Sequence, residues 1–275
     1  VYIRYFNESG SNVVKLPVKN AAIPRWRVNP NGDTVIVYVS SAAGNKSESF
    51  LKESTWQVKF SNGKFGTPQK LFDGAYHGGV ENDNSFGISS SPLLRAHLTK
   101  SLTGSDVIWY KGEQACNASL AKDGTKRTLF LDFGGSLGRD FAGVNYGVHE
   151  RILVADSTGR LINSVASPAK YTFDHTEWAV GMLKDGPGNL IVTSLTDRNG
   201  AHRQIALVNL DNGVVYPLVE GEELWHPCLW VWQDGAVHPK PSVDVDSAGA
   251  YYDSRAETPY AFAMVEMGMK LQSFW

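Results

Sequence analysis

Histidine, tryptophan and carboxylate residues gather in three short phrases of this 275-residue chain: "YHGGV" from Tyr76, "FDHTEWAV" from Phe173 and "LWHPCLWVW" from Leu224. Each sets an imidazole among aromatic or apolar residues in a run too short for a surface helix. If the fold brings them together, His77, His175 and His226, joined by Glu177, form a donor set for a divalent cation (Zn²⁺, Mn²⁺ or Ca²⁺) with an open coordination position. The alternative is that each imidazole fills space and bonds a neighbouring backbone. Carboxylates in or near such phrases, Glu81, Asp132, Asp174 and Glu177, could do acid–base work, with Glu177, Asp132 and Asp174 the foremost catalytic candidates; the plainer role for each is a turn cap. Eight tryptophans is high for this length, and Trp178, Trp225, Trp230 and Trp232 crowd the two later phrases, with Tyr76, Tyr146 and Tyr251 also available. Flat aromatic faces stack on sugar rings while groups such as His175 and His226 bond hydroxyls, so Trp178, Trp225, Trp230, His175, His226 and Tyr76 are the ligand-binding candidates. Packing is the competing role, and the expected one for Trp26, Trp56 and Trp109.

Bulk composition narrows the class. With 42% hydrophobic and 20% charged residues the chain can bury a large core. Its 26 basic and 28 acidic residues leave a net charge of −2, which disfavours a nucleic-acid backbone as partner. No apolar run reaches the roughly twenty residues of a bilayer span. Cys116 and Cys228 are too few for a disulfide scaffold or a thiolate zinc site, and their pairing stays open. There is no Gly-x-Ser-x-Gly elbow, phosphate-cradling glycine loop or cysteine nucleophile signature.

The elements that must position these residues read as strands. Short β-branched and aromatic runs separated by Gly, Asn, Asp and Pro recur along the chain, and hairpins are expected around Asn62-Gly63, Thr158-Gly159 and Asn212-Gly213. Only the end, after Thr258-Pro259, reads as a helix. Phrases starting at Ile23, Tyr76, Phe130, Phe173 and Leu224 can be overlaid as unit starts 43 to 54 residues apart. Four antiparallel strands per such period is the pattern of a β-propeller blade.

"PRWRVNPNGDTVIVYVS" is similar to the Trp-Ser-Pro-Asp-Gly phrase of TolB-like and WD40-like propeller repeats, and "WHPCLWVWQDG" looks like a variant of it. "QACNASL", "TLFLDFGG", "FDHTEWA" and "MKLQSFW" more loosely resemble a paralogous family of large, often lipid-anchored surface proteins of Fibrobacter. The second resemblance implies export as part of a lipoprotein or other surface protein, and the first lends support to a channel metal, since some TolB-like pectin-fragment lyases hold one with histidines. Five-bladed glycoside hydrolases place their carboxylates around the same channel.

The expectation is therefore an all-β, five-bladed β-propeller over residues 1–256, six-bladed if 96–128 hides another sheet. Residues 1–20 form a hairpin completing the last blade, and 257–275 form a helix or linker toward a further domain. The expected function is an exported, monomeric recognition module that binds a carbohydrate or other surface polymer at the channel mouth. A metal-dependent polysaccharide lyase or glycoside hydrolase and a protein-docking scaffold are the alternatives.

Overall fold

In the computed structural model, residues 1–4, 13–42, 44–99, 105–181 and 189–231 are described. The chain opens with a hairpin of β1 (Tyr2–Arg4) and β2 (Val13–Lys15), with Tyr2 opposite Lys15. A first sheet follows, built from β3 (Ala22–Val28), β4 (Thr34–Val39), β5 (Ser54–Ser61), the short β6 (Lys64–Phe65) and β7 (Gln69–Asp73). The second sheet holds β8 (Gly79–Val80), β9 (Phe86–Ser89), β10 (Arg95–Leu98) and β11 (Ser105–Ile108). The third holds β12 (Ala115–Leu120), β13 (Thr128–Asp132), β14 (Arg151–Ala155) and β15 (Leu161–Ala166), with helix α1 (Ser136–Ala142) inserted between β13 and β14. Next come β16 (Tyr171–Trp178), the two-residue β17 (Val180–Gly181), β18 (Leu190–Asp197), β19 (His202–Asn209) and β20 (Val214–Glu220); β16, β18, β19 and β20 make the fourth sheet. Finally β21 (Trp230–Val231) pairs in parallel with β17.

The second, third and fourth sheets are antiparallel meanders in chain order, the first is one through β3, β4, β5 and β7 with β6 a short hairpin partner of β5, and together they form an all-β, propeller-like arrangement of four blades. Local chemistry explains the strands. β4 reads Thr-Val-Ile-Val-Tyr-Val and is buried at its last five residues, because neighbours cover both of its faces. The β5–β6 turn uses Asn62 and Gly63 at φ 50° and 72°, the left-handed pair that a two-residue hairpin needs. Cores lie between sheets. Phe86, Ile88 and Ala96 of the second meet Leu120, Phe130 and Leu153 of the third; Leu129, Leu131 and Ile152 of the third meet Phe173, Ile191 and Ala206 of the fourth. The N-terminal hairpin packs Ile3 and Leu16 against Ile36, Tyr38 and Val58 of the first sheet.

Two expectations change. The third unit starts at Ala115, not at Phe130, since Thr128–Asp132 is the second strand of its sheet. The inner strand Ala-Cys-Asn-Ala-Ser-Leu lacks apolar alternation, whereas the fully buried Thr-Leu-Phe-Leu-Asp next to it has the stronger apolar signal. The stretch 96–128 holds no additional sheet among its described residues: it supplies the last two strands of the second sheet, β10 and β11, and the inner strand of the third, β12. Most of the fifth unit from residue 232, including Trp232, Tyr251 and the expected helix over 257–275, lies outside the described residues.

Candidate functional site

The inner strands share a local device. Ile23, Asn117 and His175 all adopt a left-handed backbone, with φ of 47°, 47° and 45°, and the ladder shifts register there: between Ala22 and Arg25, Cys116 and Ser119, and Asp174 and Glu177. His226 has the same conformation at φ 46°. Such bulges re-aim side chains, and a left-handed backbone costs about 1–2 kcal/mol for a non-glycine residue, so its recurrence at equivalent points is a feature of the architecture. The residue two positions on is directed inward in each sheet. Arg25 Nη1 of the first sheet pairs with Glu177 Oε1 of the fourth, and Ser119 Oγ of the third donates to Glu177 Oε2 at 2.6 Å. Arg25 Nε also donates to the His77 carbonyl at 2.8 Å. Residues 25, 119 and 177 thus come together from three sheets, joined by the His77 carbonyl of the turn that leads into β8.

Beside this centre lies an imidazole–indole cluster. Asp174 Oδ2 is 2.9 Å from His202 Nε2 and 3.5 Å from His175 Nε2. The His226 ring centre is 3.9 Å from that of His175, and the Trp225 indole lies 3.6 Å from His202 at 35° and 4.9 Å from His175. Trp225 Nε1 donates to Glu223 Oε2 at 2.9 Å, which fixes the ring while 36% of the residue stays exposed. Asp174 Oδ1 accepts from Asn117 Nδ2 at 2.6 Å and from the His175 backbone N–H at 2.8 Å.

Charge follows from this packing. Burial lowers His175 to about 4, against the pull of Asp174, with His226 and His202 lowering it further. Burial, then the nearby Arg25 cation, also lowers His77 to about 4. Burial likewise lowers His226. Asp174 is pushed up by burial, but the His202 hydrogen bond and the His175 contacts outweigh this and hold it below the ordinary carboxylate range. The imidazoles of His175 and His77 are therefore neutral, and Asp174 is ionised, at neutral pH.

The expected metal trio of His77, His175 and His226 is not the set whose donor atoms converge. Among the described residues that set is Asp174, His175 and His202, with donor atoms within 4.8 Å of one another. His226 is a flanking ring, and His77 lies on the Arg25 side. Glu177 is engaged at both oxygens. Asp132 is fully buried at the end of β13 and accepts from the Gly134 and Gly135 N–H groups. Two aromatic candidates are interior. Trp178 is 4% exposed, donates Nε1–H to the Ser119 carbonyl at 2.9 Å and lies under Arg127, so it joins the third and fourth sheets. Tyr76 is 1% exposed and donates its hydroxyl to Asp106. The Trp230 backbone is in β21, and its side chain lies outside the described residues.

Several residues that matter went unmarked in the sequence. His202 follows the Asn199-Gly200 turn, and in a four-stranded meander the turn between second and third strands returns to the end where the inner strand begins. That rule also finds His149, which follows the β13–β14 insertion; its Nε2 is 3.1 Å from Cys116 Sγ. Burial, then the Asp174 charge, pushes the Cys116 thiol up to about 12, so it stays protonated beside a neutral imidazole.

No family model matches the sequence, and no curated protein matches it. Among solved structures the chain is similar to a Mycobacterium tuberculosis puromycin-hydrolyzing peptidase, with a TM-score of 0.43 and 12% identity over 76% of this chain and 30% of that one. It is similar to a chain from an analysis of two prolyl endopeptidases, at 0.42 and 11% over 74% and 27%. A Hadza microbial sialidase gives 0.39 and 11% over 73% and 47%. The chain spans less than half the length of each, and their activities say nothing about its own.

Proposed function

We propose that this chain is a recognition module that binds a carbohydrate at the open end of its inner strands. The supporting observation is the Trp225 indole, half-exposed yet braced by the His202 ring and by its bond to Glu223. An aromatic face held in place loses little freedom when a sugar ring stacks on it, and the exposed His226 imidazole lies beside that face. A carboxylate-pair hydrolase is less well supported, because Glu177 is occupied by Arg25 and Ser119 and Asp132 is fully buried. Export to the cell surface rests on the sequence resemblance alone, and fractionation of the native host tests it.

The binding test is a glycan array probed with the wild-type chain, Trp225→Ala and Trp225→Phe. Stacking contributes about 0.5–1.5 kcal/mol beyond buried area, so Trp225→Ala should weaken binding about tenfold and Trp225→Phe less. Equal binding by all three, or capture of envelope proteins unaffected by Trp225→Ala, favours the docking-scaffold alternative.

A further inference from the structure

We propose that Asp174 Oδ2, His175 Nε2 and His202 Nε2 are the protein ligands of a divalent first-row cation, with Zn²⁺ the best match, held beside Trp225 and His226. Bonds of about 2.0–2.1 Å in a tetrahedral site put ligand atoms roughly 3.3 Å apart. The observed 2.9 Å and 3.5 Å from Asp174 Oδ2 to the two Nε2 atoms bracket that edge.

Three further observations point to a ligand. First, both ring nitrogens of His175 and Nδ1 of His202 are buried without a hydrogen-bond partner among the described residues, and His202 is only 5% exposed. A hydrogen bond between His202 and Asp174 satisfies one nitrogen and leaves those three orphaned; a cation engages His175 and turns the free His202 nitrogen into a donor. Second, the outer contacts of a metal site are present. Asn117 and the His175 N–H hold Asp174 Oδ1, which aims Oδ2 at the imidazoles. Glu223 Oε2 stands 3.8 Å from His202 Nδ1, the side where a carboxylate supports a ligating histidine. Third, the left-handed bulge at His175 brings that ring against Asp174 and His226. The exposed His226 and Trp225 border the remaining side, leaving a coordination position for water or a bound hydroxyl. Two imidazoles with a single carboxylate select a borderline cation over Ca²⁺, which takes six to eight oxygen ligands.

This inference is independent of the carbohydrate reading, and its test uses metal alone. After chelator treatment, the full chain is titrated with ZnCl₂ by calorimetry and with Co²⁺ by visible absorption. One equivalent of each is expected, with tetrahedral or five-coordinate Co²⁺ bands and no near-ultraviolet thiolate band. Asp174→Asn and His202→Gln should abolish stoichiometric binding, with folding checked by circular dichroism. Asn117→Ala keeps all three ligands and should weaken binding about 10–100-fold, so a ligand variant that fails to fold leaves the proposal testable. Cys116→Ser and His149→Gln should bind as wild type. The proposal is overturned by an absence of stoichiometric Zn²⁺ in the wild type, by unchanged binding in folded Asp174→Asn and His202→Gln, by tighter binding of Ca²⁺, or by a thiolate band lost in Cys116→Ser.

Discussion

Acidification should destabilise the fold through His77, in the turn that leads into β8. Burial, reinforced by the Arg25 cation, lowers its folded-state pKa to about 4 from 6.5. For a base lowered on folding, the unfolded chain binds the proton more readily between those values. Stability from the neutral imidazole is therefore fully present above about 6.5 and lost as pH falls toward 4. At about pH 5 the difference in proton binding is roughly 1.5 pKa units, or about 2 kcal/mol. The assay is urea unfolding of wild type and His77→Gln at about pH 7.5 and pH 5. His175, His226, His149 and His97 titrate in both proteins, so wild type should lose about 2 kcal/mol more than the variant across this interval. A ring-proton titration by NMR gives the same answer without mutation. Identical pH dependence in the two proteins, or a His77 midpoint near 6.5, would refute the argument that this imidazole is desolvated beside a cation.

Two further outcomes test the centre. The Arg25 and Glu177 side chains are 21% and 22% exposed, between the surface and buried limits, so a double-mutant cycle with Arg25→Gln and Glu177→Gln should show coupling of about 1–2 kcal/mol; a value near zero would mean that the first and fourth sheets do not meet across it. In a Cys228→Ser background, alkylation of Cys116 at about pH 8 should be roughly a hundredfold slower in the native than in the urea-unfolded chain, because its thiol is pushed up to about 12; equal rates would show that burial does not hold this thiol protonated.

The strands and hairpins were legible because their signals are local. The apolar run of β4, the Asn62-Gly63 turn, and the pairs β14–β15 and β19–β20 follow from side-chain periodicity and from residues that tolerate positive φ. The repeat of unit-start phrases was legible too, and it brought His175 and His226 into one cluster. It failed at the third unit, where Ala115–Leu120 is small and polar in composition and carries no apolar alternation. It also could not pair Glu177 with Arg25 or choose His202 over His77, because 152 residues separate the first pair and no sequence spacing encodes how neighbouring sheets stack.

The amino-acid sequence by itself determined that the chain makes short antiparallel meanders whose histidine- and tryptophan-bearing phrases recur, since backbone conformation and apolar patterning are decided within a few residues. Tertiary structure alone decided which of those side chains meet, which are sealed between sheets as Trp178 is, and which stay open as Trp225 does. Donor sets and exposed faces depend on through-space distances of a few ångströms, and only the packing of one sheet against the next fixes those.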